Sequence, residues 1–420
     1  MKQSLRLLSY GIVCLVGLAC KPVATYQSQR SSRFETSRMS QEESDASVDR
    51  KVEAEKPAPQ AEEMKKMEEK APGTAVPTVE PRFFAYAASG NGQLHVLSFQ
   101  AKTGFLKIEK TLNLGGKAPS FLAFDPTRGF LYAANEAPGS GGVMAFAVNR
   151  TNGDLSPLNE VPSNSDGPTH VGLDKAGKYL FAAHYNTGML YVYPIQADGR
   201  IGNPLTQVAA GANAHQALLM PGASRLLVPC LGAQNLVSYP FQANDGSLGS
   251  PQRLAIANGA GPRHVAAHPK QSWVYLVNEL NSTVQALSLS ANTQELNLIG
   301  GQVSSLKSPV NGNKAAEIHV SADGRFVYSS NRGDDSIAQF GIATDGSLSL
   351  QNTFKTGGQT PRHFSIDPTG AWVLVANQDS GTITVLGVDA NSGNLKPVSQ
   401  SLSVPGVQFV EVIDLNQIAP

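Results

Sequence analysis

From Arg82 to its end, the apolar and polar positions of this chain fall into one recurring pattern. Residues 261–280, GPRHVAAHPKQSWVYLVNEL, show one copy of it. A Pro-Arg-His lead-in opens a short apolar strand at 265–267, and a turn follows at 269–272. A second apolar strand at 273–277 ends in Asn278 and Glu279. Apolar runs bounded by Pro, Gly, Asn and Asp read as antiparallel hairpins. Six segments share the template: strand, Asp-Pro-x-Gly-like turn, strand, Asn-rich loop, third strand, then an Asp-Gly or Thr-Gly turn into a fourth. Their first-turn positions are Asp125, Asp174, Met220, His268, Ser321 and Asp367, spaced by 49, 46, 48, 53 and 46 residues. That is the period of four-stranded propeller blades. A seventh unit is split between the ends. Residues 83–108 supply its second to fourth strands, and 407–414, VQFVEVID, supply the missing innermost one. The pattern therefore predicts an all-β, seven-bladed propeller over 82–420, with its ring closed by both ends so that no sheet edge is left open. Neither a WD nor a GH signature occurs, which excludes the WD40 type.

The first 81 residues lack this alternation. Lys2 and Arg6, an apolar run at 7–18 and the Ala19-Cys20 junction read as a signal peptide over residues 1–19. The run is too short to span a membrane comfortably. It resembles a bacterial lipoprotein signal, cleaved before Cys20, whose thiol would carry lipid. The box Gly17-Leu18-Ala19-Cys20 departs from the usual pattern, so ordinary secretion and an uncleaved anchor stay open. Lys21 is not the Asp that holds such lipoproteins at the inner membrane, which points to an outer-membrane anchor facing the periplasm. Residues 20–81, charged and Pro-rich, bury too little apolar surface to fold and are expected to form a disordered tether.

Composition narrows the partners. With 33 basic against 33 acidic residues, no global field draws in nucleic acid or an anionic membrane surface. Any anion must be held by a local cluster, and membrane contact is expected only through the lipid anchor. A monomer is expected. Of three cysteines, Cys14 lies in the leader and Cys20 at its end, so Cys230 stands alone and no disulfide framework forms. In its apolar strand Cys230 reads as a small buried hydrophobe rather than a reactive thiol.

Candidate chemistry emerges when the repeats are superposed. In an up-and-down blade, residues that start strand one and residues that leave strand two share a rim, and strand one lines the channel. The strand-one starts carry Ser120, Thr169, His170, His215, Arg263, His264, Glu317, His319, Arg362 and His363. The strand-two exits carry Asn135, Glu136, His184, Tyr185, Asn186, Asn278, Glu279, Asn331, Arg332, Asn377 and Gln378. Five of the eight histidines fall at or beside strand-one starts, more than turn formation explains. The recurrent Asn and turn Asp residues read as Asx-turn formers, and His268, at an Asp position, as a surface residue. Arg263, Glu279 and Arg332 break the repeat and read as functional. His170, His264, Glu317, His319, Arg362 and His363 are candidate substrate-binding residues. A metal has only Glu317 with His319 to offer two ligands from one strand, and neither a metal nor a cofactor is expected.

The segments GPRHVAAHPKQSWVYLVNELNSTVQAL, AAEIHVSADGRFVYSSNRGDDSIAQF and TPRHFSIDPTGAWVLVANQDSGTITVLGVDANSGNL resemble the lactonase family of seven-bladed propellers. That family includes cycloisomerase-like 6-phosphogluconolactonases and carboxymuconate cyclases. The resemblance implies an active site of one His, two Arg and one Glu on the channel rim, here His215, Arg263, Glu279 and Arg332. Thr169 and His184 depart from it, standing where the family more often has Cys and Asn. The implied activity is hydrolysis of an acidic sugar lactone such as 6-phosphogluconolactone. The arginines would hold the anion, and Glu279 or His215 would act as general base. A non-catalytic propeller of the cell envelope, binding a small anion or a protein partner on the same rim, is the alternative.

Overall fold

The computed structural model describes residues 82–418, apart from 164–166 and 223. The expected signal peptide, Cys20 and the whole of the tether lie outside the described residues. Within them the chain folds into seven four-stranded antiparallel sheets. One blade runs outward through Pro262–Ala267, Trp273–Asn278, Thr283–Leu289 and Leu296–Ser304. In the split blade, Val407–Asp414 is the inner strand and pairs antiparallel with Phe83–Ser89, Ala85 lying opposite Val412. The ring closes as the repeat arithmetic predicts.

The core is divided. Seven apolar clusters are formed, and each draws on two adjacent blades. In one of them Ala85, Ala87, Leu97 and Val410 of the split blade meet Leu374, Ala376, Ile383 and Val385 of its neighbour. Second strands are therefore buried on both faces, and in Trp273–Asn278 only Trp273 keeps some exposure. Each fully buried Val, Leu or Phe contributes about 1.5–3 kcal/mol, so the layers between blades carry the stability.

Polar turns lock neighbouring blades together. Tyr86, Tyr132 and Tyr328, on second strands, donate their hydroxyls to the carbonyls of Gly153, Gly199 and Gly393 in the next blade's third turn, at 2.8, 3.1 and 2.6 Å. Asp125 caps its own turn, accepting from the amides of Thr127 and Arg128, as the Asx reading requires. His268 is a correction, because it is buried. Its Nδ1 accepts from the amides of Lys270 and Gln271 at 3.0 and 2.9 Å, as the carboxylate does in other blades, and its Nε2 lies 3.1 Å from the Gly324 carbonyl. Cys230 is fully buried, and burial pushes its thiol up to about 12, which leaves it an inert hydrophobe.

Candidate active site

Strict alternation would send Arg263 and His264 to opposite faces of their strand. A bulge prevents this: the register with the second strand slips between Pro262 and His264. A β-bulge re-aims side chains, and here both residues line the channel mouth. The same slip recurs between Pro361 and His363, around Arg362, and between Pro119 and Phe121, around Ser120. The Gly-Pro-Arg and Thr-Pro-Arg sequences at these sites place a Pro, which lacks an amide donor, immediately before the bulge.

At the rim, Glu279 binds two arginines. Its Oε2 lies 2.9 Å from an Arg332 Nη2 and 3.0 Å from Arg263 Nε. The second contact is an ion pair without an aligned hydrogen bond, because Arg263 Nε has no acceptor along its N–H direction. The guanidiniums are further held by the Ala316 carbonyl, 2.8 Å from Arg263 Nη1, and the Ala315 carbonyl, 3.2 Å from Arg332 Nη2. Arg362 comes from another blade and reaches its carboxylate, Glu136, only at 4.0 Å. Burial and the neighbouring Arg332 draw Arg263 down to about 9, against the pull of Glu279. Burial lowers Arg332 too, with Arg362 adding to the shift and Glu279 opposing it. Burial alone would raise the Glu279 carboxyl, but Arg263 and Arg332 outweigh it and hold the group below its usual range. Glu279 is thus ionised and occupied by its cations.

Beneath the arginines lies a layer of imidazoles around a buried carboxylate. His215 Nδ1 is 3.1 Å from His264 Nε2, and His264 Nδ1 is 3.1 Å from both oxygens of Glu317. Glu317 Oε1 also accepts the Ile318 amide at 2.9 Å, and its Oε2 is 3.4 Å from His363 Nε2. Burial holds His215 well below its ordinary value, helped by Arg263 and His264. Burial lowers His264 to about 4 and His363 to about 3, Glu317 opposing in each case. All three rings are neutral at pH 7. Burial would raise Glu317, yet His264 and His363 hold it well below the carboxylate range.

The residues named from the sequence separate into tiers. His215, Arg263 and Arg362 line the mouth together with His264, Glu317 and His363, and the space left between them is only about 10 Å³. Glu279 and Arg332 join them through the ion pairs above. A ligand on this side rests on the tier rather than inside it. His170 and His319 face instead a cavity of about 440 Å³ on the far side, shared with Glu317 and His363 and walled by Phe121, Leu218, Val265 and Phe409. The larger space is not where the cations are. Two residues were given no role by the sequence. Tyr185 stands edge-on to His215 with ring centroids 5.5 Å apart, and its phenol is raised by burial and by Glu279. Glu411 lines the far cavity, where burial and Glu317 raise its carboxyl to about 7. A carboxylate amid the apolar residues of VQFVEVID was the available signal for Glu411; Tyr185 had only its place at a strand-two exit.

Glu317, His319 and His363 set donor atoms within 4.8 Å of one another, the spacing a metal would ask for. A metal-bound imidazole donates its other N–H to an acceptor. His319 meets that condition: its ring hydrogen-bonds the Phe364 backbone, and its Nε2 is buried without a partner. His363 does not, because its Nδ1 faces the Val410 amide at 3.5 Å, which leaves its proton on Nε2 toward Glu317. In the trio as built, His363 Nε2 faces Glu317 Oε2 at 3.4 Å and His319 Nε2 stands without a partner.

A family described as a seven-bladed beta-propeller lactonase matches residues 83–412, which span all seven blades. The chain belongs to the Lactonase family. Among its relatives, a 6-phosphogluconolactonase of Photorhabdus laumondii is 33% identical over 338 residues, covering 79% of this chain and 98% of the relative. A 6-phosphogluconolactonase of Bacillus subtilis is 32% identical over 299 residues, covering 68% and 85%. Among solved structures, a periplasmic gluconolactonase of Pseudomonas aeruginosa superposes with a TM-score of 0.73 at 25% identity, covering 79% of this chain and 99% of that one. This lactonase-family propeller is thus 6-phosphogluconolactonase-like over the whole described ring.

Proposed function

We propose that the protein hydrolyses the internal ester of an acidic sugar lactone, such as 6-phosphogluconolactone, at the Arg263–Arg332–Arg362 rim. The observation that carries this reading is the charge balance there: three guanidiniums gather at the rim beside a neutral imidazole, two of them close to Glu279 and the third only 4.0 Å from Glu136. Such a surplus of planar donors suits a phosphate or carboxylate and the oxyanion of an attacked carbonyl. Water adds to the lactone carbonyl while His215 takes its proton. The ring C–O bond then breaks, and the alkoxide leaves with that proton, giving a hydroxy acid. Glu279 holds the arginines, and its Oε2 lies within 3.0 Å of both of them, whereas among the described residues the His215 ring is in hydrogen-bond contact only through Nδ1. The leader at residues 1–19 supports action at the cell envelope, and the periplasmic gluconolactonase among the structural relatives is consistent with that.

Acid release from a panel of phosphorylated, carboxylated and neutral sugar lactones tests the proposal on the full-length chain. Hydrolysis is expected to favour the acidic lactones. His215→Gln is expected to lower kcat by about 10²–10⁴, whereas Glu279→Gln raises KM by loosening the arginines. Tight anion binding without turnover of any acidic lactone would sink the enzyme reading in favour of a binding propeller.

A further inference from the structure

We propose that Glu317 and His264 are positioning residues that fix His215 as its Nδ1–H tautomer and so present a bare Nε2 lone pair at the rim. The argument is proton bookkeeping along one chain of contacts. Glu317 is buried, and both its oxygens lie 3.1 Å from His264 Nδ1. An ionised carboxylate only accepts, so His264 Nδ1 must carry the ring proton. A neutral imidazole has a single N–H, which leaves His264 Nε2 an acceptor. His215 Nδ1 sits 3.1 Å from that nitrogen and must therefore donate. His215 is neutral as well, so its Nε2 holds a lone pair, and no hydrogen bond within the described protein engages it. The opposite assignment would aim the His264 Nδ1 lone pair at a carboxylate in a buried site, where an unpaired acceptor is most costly.

Glu317 is held for this task from two other sides. The Ile318 amide claims Oε1 at 2.9 Å, and His363 approaches Oε2 at 3.4 Å. The Tyr185 ring stands edge-on against His215 on the rim side. The arrangement works as the carboxylate does behind the imidazole of a hydrolytic triad, by setting tautomer and orientation, with a second imidazole interposed. Its link to turnover rests on the lactonase reading above; the tautomer itself does not.

The test separates the two. Two-bond ¹H–¹⁵N correlation spectra of the full-length protein, labelled with ¹⁵N-histidine, report which nitrogen of each ring is protonated. Signals are assigned by their loss in His215→Gln and His264→Gln. At neutral pH both rings are expected as Nδ1–H tautomers. A wild-type His215 protonated on Nε2 overturns the proposal. In Glu317→Gln, Ile318 claims the amide oxygen, so the amide N–H₂ faces the imidazoles and donates. His264 and then His215 are expected to shift toward Nε2–H. Lactone turnover should fall about 10²–10³-fold in kcat with KM within about threefold, since the arginines are untouched, and Glu317→Asp should recover part of it. Unchanged tautomers and kcat in a folded Glu317→Gln protein overturn the proposal. The expected tautomers in a wild-type protein that hydrolyses no lactone uphold it and remove the lactonase reading instead.

Discussion

Glu411 is a carboxyl on the innermost strand of the closing blade, and its burial beside Glu317 sets up a pH dependence. Its folded value is about 7, against about 4.3 for a free Glu. A raised folded value means the native state binds the proton more tightly than the unfolded chain does. The stability this contributes is complete below about pH 4 and is lost as pH rises through 7. Glu411→Gln removes the titration, so it should change little at pH 5 and stabilise by on the order of 1–3 kcal/mol at pH 8. Denaturant unfolding at the two pH values checks this; an equal effect at both would refute the shift. At this scale the sequence was informative about which residues meet and silent about what they do. Superposing repeats brought His215, Arg263, Glu279 and Arg332 to one rim because every blade has the same hand. It left Glu279 and His215 as equal candidates for the base. Only the two arginines on one oxygen of Glu279, and the empty Nε2 of His215, distinguish them.

Hairpins and their turns were readable because each has local chemistry: an Asp or Asn whose side chain caps the next amides. The bulge at Arg263 was not, since one residue added beside a Pro leaves the apolar pattern unchanged. Its effect on the site is nonetheless large, because it turns two consecutive residues into the channel. The third-turn glycines were seen as recurrent turns, but their packing was hidden. Gly153 adopts φ +72°, and a Cβ there would stand 2.6 Å from Phe84 Cδ1 in the adjoining blade. Its carbonyl also accepts the Tyr86 hydroxyl. Gly153→Ala therefore combines left-handed strain with a clash between blades, and is expected to cost about 1–3 kcal/mol. A lowered denaturation midpoint with an unchanged m-value would show this; an unaltered midpoint would mean the turn can move away from Phe84.

The number of blades and the closing of the ring followed from spacing alone, because a repeat that buries its faces only against neighbours cannot end without a partner. Closure also explains why so short a segment matters. Val404, Val407, Val410 and Val412 complete the apolar layer toward one neighbouring blade. Phe409, Ile413, Leu415 and Ile418 complete the layer toward the other. The strand Val407–Asp414 also supplies every backbone partner on the inner edge of Phe83–Ser89. Deleting all residues after Ser403 removes these eight buried side chains, which at about 1.5–3 kcal/mol each match or exceed the roughly 5–15 kcal/mol of a typical domain. It also bares the inner edge of Phe83–Ser89, which invites association. The truncated chain is expected to lose its cooperative unfolding transition and to aggregate, while a control ending at Ile418 keeps the parent's melt. A truncated protein that unfolds in one transition at the parent's temperature would mean that the six intact blades hold together without the closing strand.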